Sequence, residues 1–506
     1  MSRCTVQRAI TEGGVASQIQ LGYKLAKADG FTASGDGTSH RNINYESRHV
    51  SVLVPSYSSD INANSLPSHH TRLVAVDCAL NHTSETQIAG WKEHAQNIAE
   101  IFNSSPLSER SGLIFESDDF AHKIKGMNGD HAADQLKTAR GIQDWKAMVD
   151  LQDLGYRSLA SLLPEDLDLL LLDVYLAQIE AAGGFDTWAD LSCELREHAL
   201  GSGLGTLAMN LGKTIFEELP GSERRARMLF IRGGCCMHKD LNAVKGGNEA
   251  MQAAWSSLAT AAPILLANKA NANAIQRSEP GTSAAAHAIS SSSRGGVKLG
   301  SLAGAIFNNK DDKKGLQDVH AWWFGRVKHV QEGSKFITKF PDTSNTRYGS
   351  HCEAAKELLV YRLQYIEFLE HVRDHKESRA FNHIEQNVYN GLRDMPTITE
   401  LAVLALYAQT ITHPYMCSAR NKDDRNINLL DLKPLHDKVK AHIRTLIENP
   451  DLLLSDHSHN YATLDGEQWE SPRAVAAIRA LSPQMPFLRP LLIAFLSSAL
   501  ATWDRF

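Results

Sequence analysis

Three short runs between Gly30 and Asn81 constrain the fold more than any other feature of the sequence, because the rest of the chain is patterned almost wholly as helix. GFTASGDGTS (30–39) ends in turn residues. SRHVSVLVPSY (47–57) alternates and is rich in valine, and TRLVAVDCALN (71–81) is a compact β-branched run. Period-two alternation bounded by Gly, Ser, Pro and Asn predicts strands, and three in a row predict an antiparallel meander. Two further strands are predicted in FAHKIKGMNG (120–129) and RMLFIRGG (227–234). The first lies between helices, and the second runs into CCMHKDLN.

Helical periodicity fills the remainder. Residues 1–24 repeat Ile10, Val15, Ile19 and Leu21 near the helical period. After the third strand Thr83 or Ser84 can cap a helix that places Ile88, Trp91, His94 and Ile98 on one face. Another helix is expected to start near Asp130. The chain then divides into a helix (1–24), a first core segment (25–150), a helical connector (151–224) and a core strand with C-x-x-H (225–242). A helical insertion (243–345), a core helix (346–375) and a helical C-terminal region (376–506) follow. Residues 278–296, small and serine-rich, are expected to form a flexible loop. The expected class is an α/β core with large all-α additions, mainly α overall. No internal repeat is found.

Composition narrows the functional classes. At 506 residues, with 43% hydrophobic and 22% charged, the chain can bury a large core. A net charge of -6 argues against a globally basic nucleic-acid coat but permits a local basic groove. The 7 cysteines are scattered without a disulfide spacing and no signal peptide is recognised, so an intracellular, reducing compartment is expected. PLLIAFLSSALATW (490–503) is too short to cross a bilayer and predicts a buried helix.

Several residues can carry chemistry. Asp36, in SGDGTSHRN, sits between glycines that let the backbone approach a ligand closely. Asp-Gly is equally a turn signal. Asp130, in KGMNGDHAAD, has the position of an N-cap. Beside Asp36 on a neighbouring strand, it would form a pair of carboxylates able to share divalent cations. Glu353 opens the helix of NTRYGSHCEAAKELLVYRLQYIEFLEHV, off an apolar stripe of Ala355, Leu358, Leu359, Leu363 and Ile366, with Glu357 one turn on. An acid in that place is commonly just solvated. Cys235, Cys236, Met237 and His238 supply one C-x-x-H, and no second pair stands at finger spacing, so a structural zinc is not expected.

Taken in order, these motifs resemble those of hAT-type DDE transposases: DGTS after the first strand, an Asp after the fourth, C-x-x-H after the fifth, a helical insertion, then R-[WY]-x-S leading into an acid-bearing helix. RGGCCMHKDLNAVKGG and RYGSHCEAAKELL are also similar to segments of transposon-derived fungal proteins. The likeness spans roughly residues 25–415 as an order of elements, through motifs that are individually short. It implies a ribonuclease-H-like core, whose chain order is a three-strand meander followed by alternating β and α. It also implies Asp36, Asp130 and Glu353 as a catalytic, metal-binding triad for Mg²⁺ or Mn²⁺. His238 and Arg347 would face the phosphates, and Trp322 or Trp323 would stack on an extruded base. DNA as partner, a homo-oligomer and a nuclear location follow from the same likeness.

Three departures accompany it. Tyr348 replaces the usual tryptophan, the segment between the Asp130 helix and the fifth strand is unusually long, and no BED-type zinc finger is recognised. Two functions fit this sequence. One is metal-dependent DNA cleavage and strand transfer, and the other is a non-catalytic DNA-binding or dimerisation scaffold derived from a transposase.

Overall fold

In a computed structural model, residues 3–506 are described except 41–42, 56–66, 80, 82, 259, 261, 280, 310–314, 333–338, 344–348, 421–428 and 457–458. The protein is mainly helical, with a small mixed five-stranded sheet, and it divides into two units, Met1–Cys235 and Cys236–Phe506.

The first unit begins with α1 (Arg3–Lys27), β1 (Phe31–His40), β2 (Ile43–Val54) and β3 (Ser68–Ala79). Next come α2 (Ser84–Asn103), α3 (Pro106–Ser111), α4 (Ser117–Lys123) and β4 (Ile124–Gly129). Then follow α5 (Ala133–Ala160), α6 (Pro164–Ala181), α7 (Phe185–Ala189), α8 (Cys193–Glu218), α9 (Gly221–Arg227) and β5 (Ile231–Gly234). The sheet order is β3-β2-β1-β4-β5. β1 and β3 flank β2 antiparallel, whereas β4 is parallel to both β1 and β5. Alternation explains the meander: Val50, Val52 and Val54 turn inward from β2 and meet Trp91, Ile98, Ile142 and Trp145 in one core.

Thr83 caps α2, accepting from the N–H of Thr86 at 3.4 Å. α5 starts at Ala133, with Ala132 as its N-cap, so Asp130 lies one turn-forming step before the helix. Its Oδ1 still accepts from the N–H of Ala132 at 2.9 Å. α5 and α8 cross with backbones in near contact, since a Cβ at Gly155 or Gly212 would collide with the carbonyls of Ala208 or Leu151. The long connector is therefore packed helix.

The second unit opens with α10 (Cys236–Ala254), α11 (Lys269–Arg277), α12 (Ser283–Ser290), α13 (Gly295–Phe307) and α14 (Gln317–Glu332). It continues with α15 (Gly349–Val360), α16 (Arg362–Asp374), α17 (His383–Arg393) and α18 (Met395–Tyr407), then a π-helical turn (Ala408–Thr412) and α19 (His413–Ala419). α20 (Lys433–Glu448), α21 (Asp451–Leu454), α22 (His459–Ala462), α23 (Pro472–Leu481) and α24 (Leu488–Trp503) complete it. Every residue of α18 from Thr397 to Tyr407 is buried. α24, the apolar C-terminal segment, packs on α10, α18 and α20. No described helix is long and apolar enough to cross a membrane.

Three expectations change here. Part of the serine-rich segment forms α12, because Thr282 caps it and the small Ala285 and Ala288 bury closely. The expected single helix after Arg347 is two helices, broken at Tyr361. Ala355, Leu358 and Leu359 belong to the all-helical core of this unit, where α15 packs on α18, α13 and α23. Leu363 is 60% exposed, so it is not part of the expected apolar stripe.

Candidate functional site

Asp36 and Asp130 occupy matching places in the first unit. β1 pairs with β4 in parallel, and the last paired residues are Ser34 and Asn128. Each aspartate stands two residues further along: Asp36 lies inside β1, which runs on to His40 although a strand end was expected at the Asp-Gly, and Asp130 directly follows the last residue of β4. β1 and β4 are neighbours in the sheet, so both residues follow the last paired positions of one parallel ladder. Asp36 remains within the β1–β2 ladder opposite Ser47, whose hydroxyl donates to its backbone carbonyl at 3.2 Å. It is exposed, and Asp130 is half-buried. The guanidinium of Arg232, on β5, donates to the Asp130 carbonyl at 2.6 Å and holds that turn.

A polar network borders this end of the sheet. Asp36, Glu46, Arg48, Gln87 and Gln135 line a crevice of about 10 Å³, the space of a single water. Arg48, buried, donates to Glu46 at 2.8 Å and also to Asp77, which His94 meets at 2.6 Å. Gln87 accepts from Thr138 at 2.8 Å and from Gln135 at 3.0 Å. A buried charge needs such partners, and Arg48 has two carboxylates.

Glu353 lies in the second unit, on α15, and its carboxylate is already engaged. Lys356 reaches it at 2.6 Å and His413 at 3.1 Å, while Lys356 also donates to Glu470 at 3.0 Å. Burial opposes its ionisation, but hydrogen bonds from His413 and Lys356 outweigh that and hold the carboxyl at about 2. Glu357, expected on a solvated face, is buried and accepts from Lys328 at 2.9 Å and from the Tyr365 hydroxyl at 3.1 Å.

The π-helical turn gathers groups that sequence reasoning did not single out. Gln409 donates to Glu470 at 3.1 Å, and Thr412 donates to buried Asp240 at 3.1 Å. Burial raises the Asp240 carboxyl to about 6 against the hydrogen bonds of Thr412 and Tyr407. The signal was present in ALYAQTITHP, where Gln409, Thr410, Thr412 and His413 interrupt an apolar helix. Single π turns are frequent at functional sites.

The remaining candidates lie on other elements. Trp322 is 57% exposed with the Arg326 guanidinium over its ring, and Trp323 packs on Phe368 and His371. Cys235 ends the first unit with its N–H donated to the Gly129 carbonyl at 3.0 Å, and His238 sits in the first turn of α10, half-buried. Arg347 and Tyr348 lie outside the described residues. Among the described residues, no three of His, Cys, Asp and Glu gather as a metal site. In chemical type, Asp36 and Asp130 are hard oxygen donors that suit Mg²⁺ or Mn²⁺ better than zinc. No protein-family model matches the chain, and no curated protein matches it either.

Proposed function

We propose that the protein is a transposase-like DNA-processing protein whose first unit is a ribonuclease-H-like core for metal-dependent phosphodiester cleavage and strand transfer. The observation that carries this reading is the placement of Asp36 and Asp130, each two residues beyond Ser34 and Asn128, the last pair of the parallel β1–β4 ladder. The meander followed by alternating β and α elements supports it. Asp36 and Asp130 would hold Mg²⁺ or Mn²⁺, with Glu353 as the third acid on the resemblance alone. Bound there, the cation supplies charge stabilisation at the phosphate and a more acidic attacking water or 3′-hydroxyl. The protein's own part is to fix the two carboxylates: the β1–β2 ladder holds Asp36, and Arg232 holds the turn of Asp130. DNA is the proposed partner, in the nucleus, with a second copy of the chain.

A second reading is favoured by Glu353 itself. A carboxylate occupied by Lys356 and His413 is a structural ion pair as it stands, which fits a non-catalytic DNA-binding or dimerisation scaffold. One assay separates them. The full chain should nick supercoiled DNA only with Mg²⁺ or Mn²⁺, and Asp36→Asn or Asp130→Asn should abolish nicking while DNA retention in a gel shift persists. Retention without nicking by the parent chain supports the scaffold, and nicking that survives EDTA overturns the metal mechanism.

A further inference from the structure

The second unit carries a cavity of about 450 Å³, a volume suited to a small ligand. Leu266, Leu302 and Ile384 give it apolar surface, and Lys269 and Lys298 bring two ammonium groups to its wall. None of its lining residues is acidic. Among the described residues neither lysine is paired with a carboxylate. Two helices also begin at this wall. α11 starts at Lys269 behind its N-cap Asn268, and α17 starts at His383 behind its N-cap Asn382. The N-cap side chains take first-turn N–H groups, Asn268 from Asn271 and Asn382 from Ile384 and Glu385, and the positive dipole ends of both helices stand at this wall.

The wall is fixed by its own hydrogen bonds. His383 Nε2 and Asn387 Nδ2 both donate to the Ala267 carbonyl at 2.8 Å, tying α17 to the strand-like segment that enters α11. Lys298 and Leu302 lie one turn apart on α13, so one helix face presents a cation and an apolar group together. The arrangement therefore offers positive charge at one side and hydrocarbon at another, with no acid to neutralise it.

We propose that this cavity binds a small organic anion, a phosphate or carboxylate head group on an apolar body, with Lys269 and Lys298 on the head and Leu266, Leu302 and Ile384 on the body. The site is independent of the DNA-processing reading, since it uses none of Asp36, Asp130 or Glu353.

The test is calorimetric titration of the full chain with 1-naphthyl phosphate, 1-naphthoate and, as the uncharged counterpart, 1-naphthalenemethanol. The anions should bind and the alcohol should bind at least about ten-fold more weakly. Lys269→Ala and Lys298→Ala should each weaken the anions by about ten-fold without lowering the melting temperature, since neither side chain is buried. Leu302→Trp, which fills the cavity, should abolish binding. Tighter phosphate identifies a phosphate ester as the ligand class, and tighter naphthoate a carboxylic acid. Equal binding of the alcohol, unchanged binding by the double lysine variant, or no binding of either anion at millimolar concentration overturns the proposal.

Discussion

Trp255 donates its indole N–H to Oε1 of Glu400 at 2.8 Å, and the N–H of Gly296 donates to Oε2 at the same distance. The pair joins the end of α10 to the start of α18 and brings α13 under the carboxylate. Gly295 makes this possible, with φ of +82° and no room for a Cβ against Glu400. Gly295→Ala should therefore destabilise the protein by about 2–5 kcal/mol, from left-handed backbone strain plus overpacking. Urea unfolding followed by tryptophan fluorescence measures it, and a loss below about 1 kcal/mol would show that the helix start shifts freely.

Glu400 is fully buried, and desolvation raises its carboxyl to about 7 despite those two hydrogen bonds. Its unfolded value is 4.5. Between 4.5 and 7 the folded chain holds a proton that the unfolded chain has lost, so this group's contribution falls as pH rises through that window. Glu400→Gln removes the titration but turns an amide N–H₂ toward one of two donors. The variant should be clearly less stable than the parent at pH 5, and the gap should narrow by about 3 kcal/mol at pH 8. A gap independent of pH would mean that Glu400 stays ionised.

Lys146 and Asp150 test the first unit in the same way. Both are buried, at 3.0 Å, and Asp150 also meets His122 at 2.5 Å while Lys146 donates to the His122 carbonyl at 2.7 Å. Desolvation pulls the Lys146 ammonium below its ordinary range, and Asp150 is what opposes that pull. Asp150→Ala strands the lysine and should cost about 3–5 kcal/mol. Pairing Lys146→Met with Asp150→Leu should recover most of it, because the uncompensated charge is gone. Chemical denaturation of the two variants decides the matter, and equal losses in both would point to packing instead.

How far the sequence told these things depended on whether the relevant partner was local. The strands of the meander were legible from alternation, yet β2 begins at Ile43 rather than Ser47. Glu46 and Arg48 occupy inward positions at 6% and 5% exposure, so its first half does not read as apolar. Those two polar residues are buried because Asp77, a strand away, closes the ion pair. Asp130 was legible as an acid just past a strand because turn chemistry is local, whereas Asp36, expected at a strand end, lies inside β1 because its pairing with β2 continues through the glycines to His40. Glu357 was not, since the Lys328 that buries it comes from another helix. The break at Tyr361 escaped for the same reason: the apolar spacing runs on through it, and only the packed environment ends α15 there.

Glu353 is where stability and function can be told apart. Its carboxyl, held at about 2 by His413 and Lys356 against the cost of burial, has an unfolded value of 4.5. The stabilisation is thus fully present above 4.5 and is lost as pH falls toward 2. The side chain is 37% exposed, so solvent screening reduces the effect to about 1 kcal/mol. Glu353→Gln should cost that much at pH 7, and the difference from the parent should shrink as pH drops through the window. Magnesium adds the functional half. To ligate a cation, Glu353 must exchange Lys356 or His413 for it, so a melting temperature raised by Mg²⁺ in the parent and not in Glu353→Gln places this residue among the ligands. An equal rise in both chains, absent in Asp36→Asn, leaves the metal with Asp36 and Asp130, and Glu353 as a structural ion pair of the helical unit.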